Sequence, residues 1–141
     1  MIKSFYDGIN VKSAMITIVA IFIYIFASDF LIHGVILKPA YQDTADLWRP
    51  ETAMPHYMIW MIFGQFIIAK YFVLIFAKGY ENKGVFEGVR FGLLAGMLMI
   101  AQNFIFYSVM PLPLSLAINW VVLGLIQAVG AGIVASLVYR R

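Results

Sequence analysis

Two side chains that can exchange protons, those of Asp29 and His33, lie four residues apart in an otherwise apolar stretch of sequence. On an α-helix, residues at this spacing share one face, so the acid and the imidazole would lie side by side. Such a pair can relay a proton or another cation. It can also be a purely structural pair, or Asp29 can pair with Asn103 on another helix, and the sequence leaves these alternatives open.

The apolar surroundings of Asp29 predict that its carboxyl group points into protein. A charged side chain at the centre of a membrane helix costs about 2.5–3.5 kcal/mol on the mildest scale, so it is buried and either paired or protonated. Lys70 either turns towards Asp29 or extends its long side chain to the membrane surface. We predict a buried polar or ion pathway formed by Asp29, His33, Lys70, Asn103 and Gln127.

A second candidate site combines histidine with methionine at the start of the second apolar segment. Met54 and Met58 share a helix face, and His56 lies between them in sequence. Thioether and imidazole ligands suit Cu(I), and a pair of histidines can also ligate haem. The alternative is that the methionines fill apolar space and His56 lies at the membrane surface. The candidate ligands for copper or haem are therefore His33, His56, Met54 and Met58.

The composition indicates a protein embedded in lipid. Of the 141 residues, 63% are hydrophobic and 12% are charged, and the mean hydropathy is +0.90. Soluble domains are about 45–50% apolar and about 25% charged. A net charge of +3, scattered along the chain, gives no indication of nucleic-acid binding. Cysteine is absent, which excludes disulfides and thiolate sites, and no motif marks a catalytic residue, so we do not predict an enzyme.

Four apolar segments are long enough to cross a bilayer, for which about 20 residues are needed. A short lead-in precedes the first segment, and a polar external loop follows it. The first segment is too long for a signal-peptide core and lacks a small-residue cleavage site. We predict one membrane domain, residues 1–141, with a lead-in at 1–12, spans at 13–37, 54–77, 85–110 and 114–139, and the external loop at 38–53.

Lysine and arginine near the ends of these segments predict the orientation of the chain. On one side of the membrane lie only Lys38 and Arg49. The positive-inside rule places the more basic side, which carries both termini, in the cytoplasm. That side carries Lys3, Lys12, Lys78, Lys83, Arg90, Arg140 and Arg141.

The two halves of the chain show matched positions that indicate an internal repeat. Asp29-Phe30 aligns with Asn103-Phe104, and Trp60-x-x-x-Gly64 aligns with Trp120-x-x-x-Gly124. We therefore predict an all-α integral membrane fold, a four-transmembrane-helix bundle of two helical-hairpin repeats in the same orientation, residues 13–80 and 85–141. The alternative is chance similarity between two apolar hairpins.

Small residues at helical spacing mark the expected contacts between helices. In lipid, such residues allow two helix backbones to approach closely. The pattern occurs in the third and fourth spans. The predicted packing residues are Gly88, Gly92, Gly96, Gly124, Ala128 and Gly132.

The stretch SDFLIHGVILKPAY, followed later by LIFAKGYENKG, resembles small bacterial four-span membrane proteins of unknown function. The resemblance implies a location in the bacterial inner (cytoplasmic) membrane. It supplies no established active residues.

Three functions fit these patterns. The first is a structural or accessory subunit of a larger membrane assembly, because no complete site is evident. The second is a small proton- or cation-coupled transporter or channel that uses Asp29 and His33. The third is a copper or haem binder at His33 and His56. The expected partners are the lipid bilayer and either further copies of the chain or the other subunits of a membrane complex.

Overall fold

The computed structural model describes residues 6–141, and the regular structure within this range is helical throughout. The first long helix, α1, continues without a break into a π-helical segment, Phe30–Ile36. A short helix, α2, precedes three further long helices. The α-helices are α1 (Val11–Asp29), α2 (Lys38–Asp43), α3 (Met54–Lys78), α4 (Val85–Val109) and α5 (Leu114–Val138).

The described residues confirm the predicted all-helical fold, and four of the segments are long and apolar enough to cross a membrane. The first helix begins two residues before the predicted position because the side chain of Asn10 accepts a hydrogen bond from the Ser13 N–H and caps it. The loop predicted at 38–53 is more ordered than expected, since it contains α2 and two short 3-10 turns. Residues 1–5 of the predicted lead-in lie outside the described range.

Helices α4 and α5 make the closest contact in the bundle. A Cβ atom added to Gly88 would overlap the carbonyl oxygen of Gly132, and one added to Gly92 would lie 2.6 Å from the Ala128 carbonyl oxygen. At Gly96 the nearest neighbour would be the Ala128 Cβ, at 2.8 Å. Backbones this close leave no room for larger side chains. Gly124 is different, since its added Cβ would make only an ordinary 3.4 Å contact with Ile100.

The bundle has two apolar cores, one at each end. The larger core lies at the end that holds the C-terminus and surrounds the fully buried Tyr139 and Phe76. Here the Arg140 N–H donates to the Ser13 hydroxyl, at 2.7 Å, and so joins the end of the chain to α1. The smaller core lies at the opposite end and consists of Ile32, Leu37, Leu112 and Leu116, with Trp48 and Trp120 packed against it.

The turn between α3 and α4 is held by a buried acid. The Glu87 carboxylate accepts hydrogen bonds from the backbone N–H groups of Glu81 and Lys83, both at 2.7 Å. Asn82 and Gly84 adopt positive φ angles of 58° and 70°, which the tight turn requires. This turn fixes the spacing between the two halves of the chain.

Candidate functional site

A cluster of polar side chains surrounds Asp29 between the two apolar cores. Gln65 donates a hydrogen bond from Nε2 to one carboxylate oxygen of Asp29, at 2.6 Å. Gln127 donates from Nε2 to the other oxygen, at 2.7 Å, and also to the hydroxyl of Ser28, at 2.7 Å. We call these four residues the Asp29 cluster. Both oxygens of the carboxyl group are therefore held by amide N–H donors.

Three helices supply the Asp29 cluster, which places it inside the bundle. Asp29 is the last residue of α1, Gln65 lies in α3, and Gln127 lies in α5. Asp29 lies seven residues before Ile36, the end of the first segment that is long and apolar enough to cross a membrane. The carboxyl group takes its described hydrogen bonds from two other helices.

Gln65 is the most buried member of the Asp29 cluster. Its side chain is only 5% exposed, and its Oε1 atom has no hydrogen-bond partner in the described part of the chain. An unpaired buried carbonyl oxygen costs about 1–3 kcal/mol. The amide is thus held by one atom, Nε2, while its second polar atom remains unsatisfied.

Ser28 extends the cluster towards the C-terminal end of the bundle. Its hydroxyl donates to the Tyr24 carbonyl oxygen, at 2.7 Å, which leaves the Ser28 oxygen free to accept from Gln127. The Tyr24 hydroxyl lies directly against Gly130, where an added Cβ would overlap it. Gly130 is therefore needed to admit the Tyr24 side chain between α1 and α5.

The helix changes its hydrogen-bonding pattern immediately after Asp29. In the π-helical segment Phe30–Ile36, hydrogen-bonded residues are five apart. The acid and the histidine have different hydrogen-bond partners. His33 Nδ1 lies 2.6 Å from the hydroxyl of Tyr41, which belongs to α2. π-Helical turns occur frequently at functional sites.

His33, Tyr41 and Trp120 form a connected chain of hydrogen bonds at the loop end of the bundle. Trp120 Nε1 donates to the Tyr41 hydroxyl, at 2.7 Å, because an indole N–H can only donate. The Tyr41 hydroxyl thus bonds both Trp120 Nε1 and His33 Nδ1. Burial raises the pKa of Tyr41, the hydrogen bond from Trp120 lowers it, and the negative charge of Asp29 raises it further.

The remaining residues predicted from the sequence lie apart from the Asp29 cluster. The Lys70 ammonium lies over the ring of Tyr71, 5.4 Å from its centroid, and forms no ion pair with Asp29. Asn103 lines a small groove between α4 and α5, next to Tyr107 and Val121. It makes no hydrogen bond to Asp29, which takes its two described hydrogen bonds from glutamines.

The four predicted metal ligands lie on two segments of the chain, the π-helical segment and the start of α3. His56 is exposed at the start of α3, and Met54 and Met58 are also exposed there, at 42% and 39%. His33 already contacts Tyr41 through Nδ1. Within residues 6–141, no three His, Cys, Asp or Glu side chains are arranged to hold a metal ion.

Sequence reasoning identified Asp29 and Gln127 but missed Gln65, which occupies the second carboxylate oxygen. The signal for Gln65 is the same as for Gln127, since each is an amide within an apolar helix. Tyr41 and Trp120 were also missed as partners of His33. Their aromatic character indicated only an interfacial position or a repeat.

No known protein family, curated protein or solved structure matches this chain.

Proposed function

We propose that this protein is a small membrane transporter or channel in which Asp29 carries a proton or another cation across part of the bilayer. The observation that carries the proposal is a carboxyl group, in a helix apolar enough to span a membrane, that two amides hold and no lysine or arginine of the described residues pairs with. Ionisable groups in such positions are costly and mark ion pathways and proton relays. Asp29 is the ion-carrying group in this proposal.

The hydrogen bonds of His33 support a route from the loop end towards Asp29. His33 lies one turn beyond Asp29, between the acid and the aromatic residues Tyr41 and Trp120. Histidine exchanges protons near neutral pH, and its partner Tyr41 lies outside the membrane-spanning segments. In this proposal, His33 and Tyr41 pass the proton or cation between the membrane surface and Asp29.

The proposed location is the bacterial inner membrane with both termini in the cytoplasm. The distribution of lysine and arginine supports this orientation, since the side opposite the termini carries only Lys38 and Arg49. The loop end would then face the exterior. We further propose that the bundle arose from two hairpin repeats in the same orientation, which the matched Trp60 and Trp120 support.

The proposal is tested by ion flux in vesicles that contain the purified protein. A membrane potential is imposed, and proton uptake is followed with a pH-sensitive dye inside the vesicles, with Na⁺ uptake measured in parallel. We expect Asp29→Asn to reduce the flux at least tenfold, because the amide cannot exchange a proton or carry a negative charge. Asp43→Asn is the matched control, since Asp43 is exposed in α2.

The control variant must retain the flux of the unchanged protein. A well-folded Asp29→Asn protein with full proton and Na⁺ flux would overturn the proposal, as would an unchanged protein that conducts neither ion. Circular dichroism and gel filtration of each variant establish that it is folded. Loss of flux in both variants would indicate general damage by Asp-to-Asn exchange and would also count against a specific role of Asp29.

A second candidate, the accessory subunit, is favoured by a polar residue on the outer surface of α4. Gln102 is exposed, has no described hydrogen bond, and lies about 10 Å inside the end of its span at Val109. An amide in this position leaves its donors and acceptor unsatisfied in lipid, whereas a neighbouring helix can bind it. We propose this surface as the contact with another subunit or a second copy.

The subunit proposal is tested by purification in mild detergent and measurement of the mass of the resulting particle. We expect Gln102→Leu to release a partner or to halve a homo-oligomer. Gln42→Leu is the matched control, because Gln42 is exposed in α2 outside the spans. A particle that contains one chain for both the unchanged protein and the variant would contradict an assembly through this surface.

A further inference from the structure

The hydrogen bonds of Asp29 match those of an ionised carboxylate. The Gln127 amide nitrogen has two acceptors, the Ser28 hydroxyl and one Asp29 oxygen, which fixes its orientation with the N–H groups towards the acid. Gln65 presents a third N–H to the other oxygen. An ionised carboxylate, which only accepts hydrogen bonds, can take all of these N–H donors.

No described lysine or arginine side chain forms an ion pair with this carboxylate. The described ion pairs join Glu81 to Lys83 and to Arg90. The Lys70 ammonium lies 5.4 Å from the ring centroid of Tyr71, and the His33 imidazole bonds to Tyr41. A charge in the apolar part of a membrane is strongly unfavourable without a partner, and a cation from solution would supply the compensating charge.

The unpaired oxygen of Gln65 belongs to the same amide group that donates to the carboxylate. Gln65 is about 95% buried, since its exposure is 5%, and the amide that contacts Asp29 through Nε2 also carries the unsatisfied Oε1. A carboxylate and an amide carbonyl are hard oxygen donors, which bind alkali and alkaline-earth cations rather than soft metals. A cation at this position would satisfy both the negative charge and the unpaired oxygen.

The charge of these ligands favours a monovalent cation. One carboxylate and one monovalent ion are neutral together, whereas a divalent ion would leave a net positive charge within the membrane. The described hydrogen bonds of the Asp29 oxygens come from amides, which add no second negative charge to balance a divalent ion.

We propose that the Asp29 carboxylate and Gln65 Oε1 bind a monovalent alkali cation, represented by Na⁺, between α1 and α3. This inference rests on the proposed function and names the class of its substrate. The rival is a proton alone. In that case the Gln65 amide group is rotated so that Oε1 and Nε2 exchange places and Oε1 accepts the Asp29 O–H. A water molecule then bonds to the polar atoms that are left without a partner.

Thermal unfolding of the purified full chain in detergent tests this inference. Solutions of NaCl are compared with N-methyl-D-glucamine chloride of the same ionic strength, and tryptophan fluorescence reports unfolding. A ligand that binds only the folded state raises the unfolding midpoint as its concentration rises. We expect such a rise with NaCl for the unchanged protein and for Gln42→Leu, the matched control, since Gln42 is exposed in α2. We expect the rise to be lost in Gln65→Leu and Asp29→Asn.

Equilibrium binding of radioactive Na⁺ provides the second measurement, which remains informative if a variant unfolds more readily. We expect one ion per chain in the unchanged protein and at least tenfold weaker binding in Gln65→Leu. An unfolding midpoint and a binding signal that do not depend on Na⁺ would overturn the inference. If in that case proton flux still required Asp29, the proposed function would stand without the Na⁺ site. If Na⁺ bound but neither ion crossed the membrane, the proposed function would fail and the site would remain.

Discussion

The carboxyl group of Asp29 is held by side chains from two other helices, so its chemistry depends on how those helices are arranged. Each of its oxygens accepts one amide N–H, from Gln65 or from Gln127. Amides stabilise a carboxylate without adding a charge, so its counter-charge can exchange. A lysine or arginine in the same place would neutralise the acid permanently.

The charge of Asp29 also influences Tyr41. Burial raises the pKa of Tyr41, and the negative charge of Asp29 adds to this, while the Trp120 hydrogen bond opposes it. We expect Asp29→Asn to lower the pKa of Tyr41 and Trp120→Phe to raise it. NMR of ring-labelled tyrosine measures both shifts, with the signal assigned through Tyr41→Phe. Identical Tyr41 titration curves in the unchanged protein and in both variants would show that the charge of Asp29 does not influence the Tyr41 hydroxyl.

Glu81 titrates in a lower pH range than an ordinary glutamate. Hydrogen bonds from Lys83 and Arg90, together with their positive charges, lower the pKa of Glu81 from 4.5 to about 2. The ionised Glu81 side chain therefore contributes to the free energy of unfolding above pH 4.5. This contribution is lost as the pH falls towards about 2 and the side chain takes up a proton. Since Glu81 is exposed, salt weakens the effect.

Carboxyl-carbon NMR at low salt measures this titration directly. We expect the Glu81 midpoint to be near 2 in the unchanged protein and higher in Lys83→Gln and in Arg90→Gln. Glu51, which is exposed in the external loop, is the internal reference. A Glu81 midpoint equal to that of Glu51 would contradict the described ion pairs.

The residues of the Asp29 cluster differ in how far the sequence could reveal them. Asp29 and Gln127 are noticeable because polar side chains are rare in apolar helices, and Gln65 is noticeable for the same reason. The rotation of each helix about its axis decides which amide faces the acid. Composition does not specify that rotation, so Asn103 was an equally reasonable partner for Asp29 until the structure placed Gln65 and Gln127 there.

At the scale of the helices, close contact between α4 and α5 holds the second hairpin together. Gly88 and Gly92 face the backbone of Gly132 and Ala128 without space for a methyl group. This contact orients α5, which carries Gln127 and Trp120. The position of both side chains therefore depends on glycines that do not contact them.

Substitution of glycine by alanine tests this contact. We expect Gly92→Ala to destabilise the protein by about 1–3 kcal/mol, because the new methyl group would force the two backbones apart. Gly64→Ala in α3 is the control, since nothing lies within 4 Å of its added Cβ. We expect it to be neutral or to stabilise by about 0.5–1 kcal/mol, as alanine does in a helix interior. Denaturant titrations that give the same free energy of unfolding for both variants would contradict the described packing.

The four long helices were predictable because length and apolar composition suffice to define a membrane span. The π-helical segment Phe30–Ile36 was not, since a change from one hydrogen-bonding pattern to another has no clear signature in composition. The small-residue pattern indicated which face of α4 packs, but only the structure showed that Gly124 has ordinary space around it.

At the scale of the whole molecule, the two ends of the bundle differ in construction. The C-terminal end is closed by packing of Tyr139 against Phe76 and Tyr80 and by the bond from Arg140 to Ser13. The opposite end has a smaller core under the loop, and many side chains in the outer halves of α3 and α4 are exposed there. The Asp29 cluster lies between a tightly packed end and a more open one.

The orientation of the chain decides which side of the membrane the open end faces. We expect a reporter after Arg141 to be active in the cytoplasm and one inserted near Thr44 to be active outside, as the distribution of lysine and arginine indicates. Two reporter enzymes, one active only in the cytoplasm and one active only outside it, measure the side on which each position lies. The reverse pattern would place the route through His33 on the cytoplasmic side.

The central claim is that the carboxyl group of Asp29 exchanges a proton or cation while the amides of Gln65 and Gln127 hold it. Infrared difference spectroscopy of aspartate-labelled protein in lipid, with Asp29→Asn as the reference, observes this carboxyl group directly. We predict an Asp29 band that changes when pH or Na⁺ concentration is changed in the surrounding solution. An Asp29 band that stays the same under both changes would contradict the account.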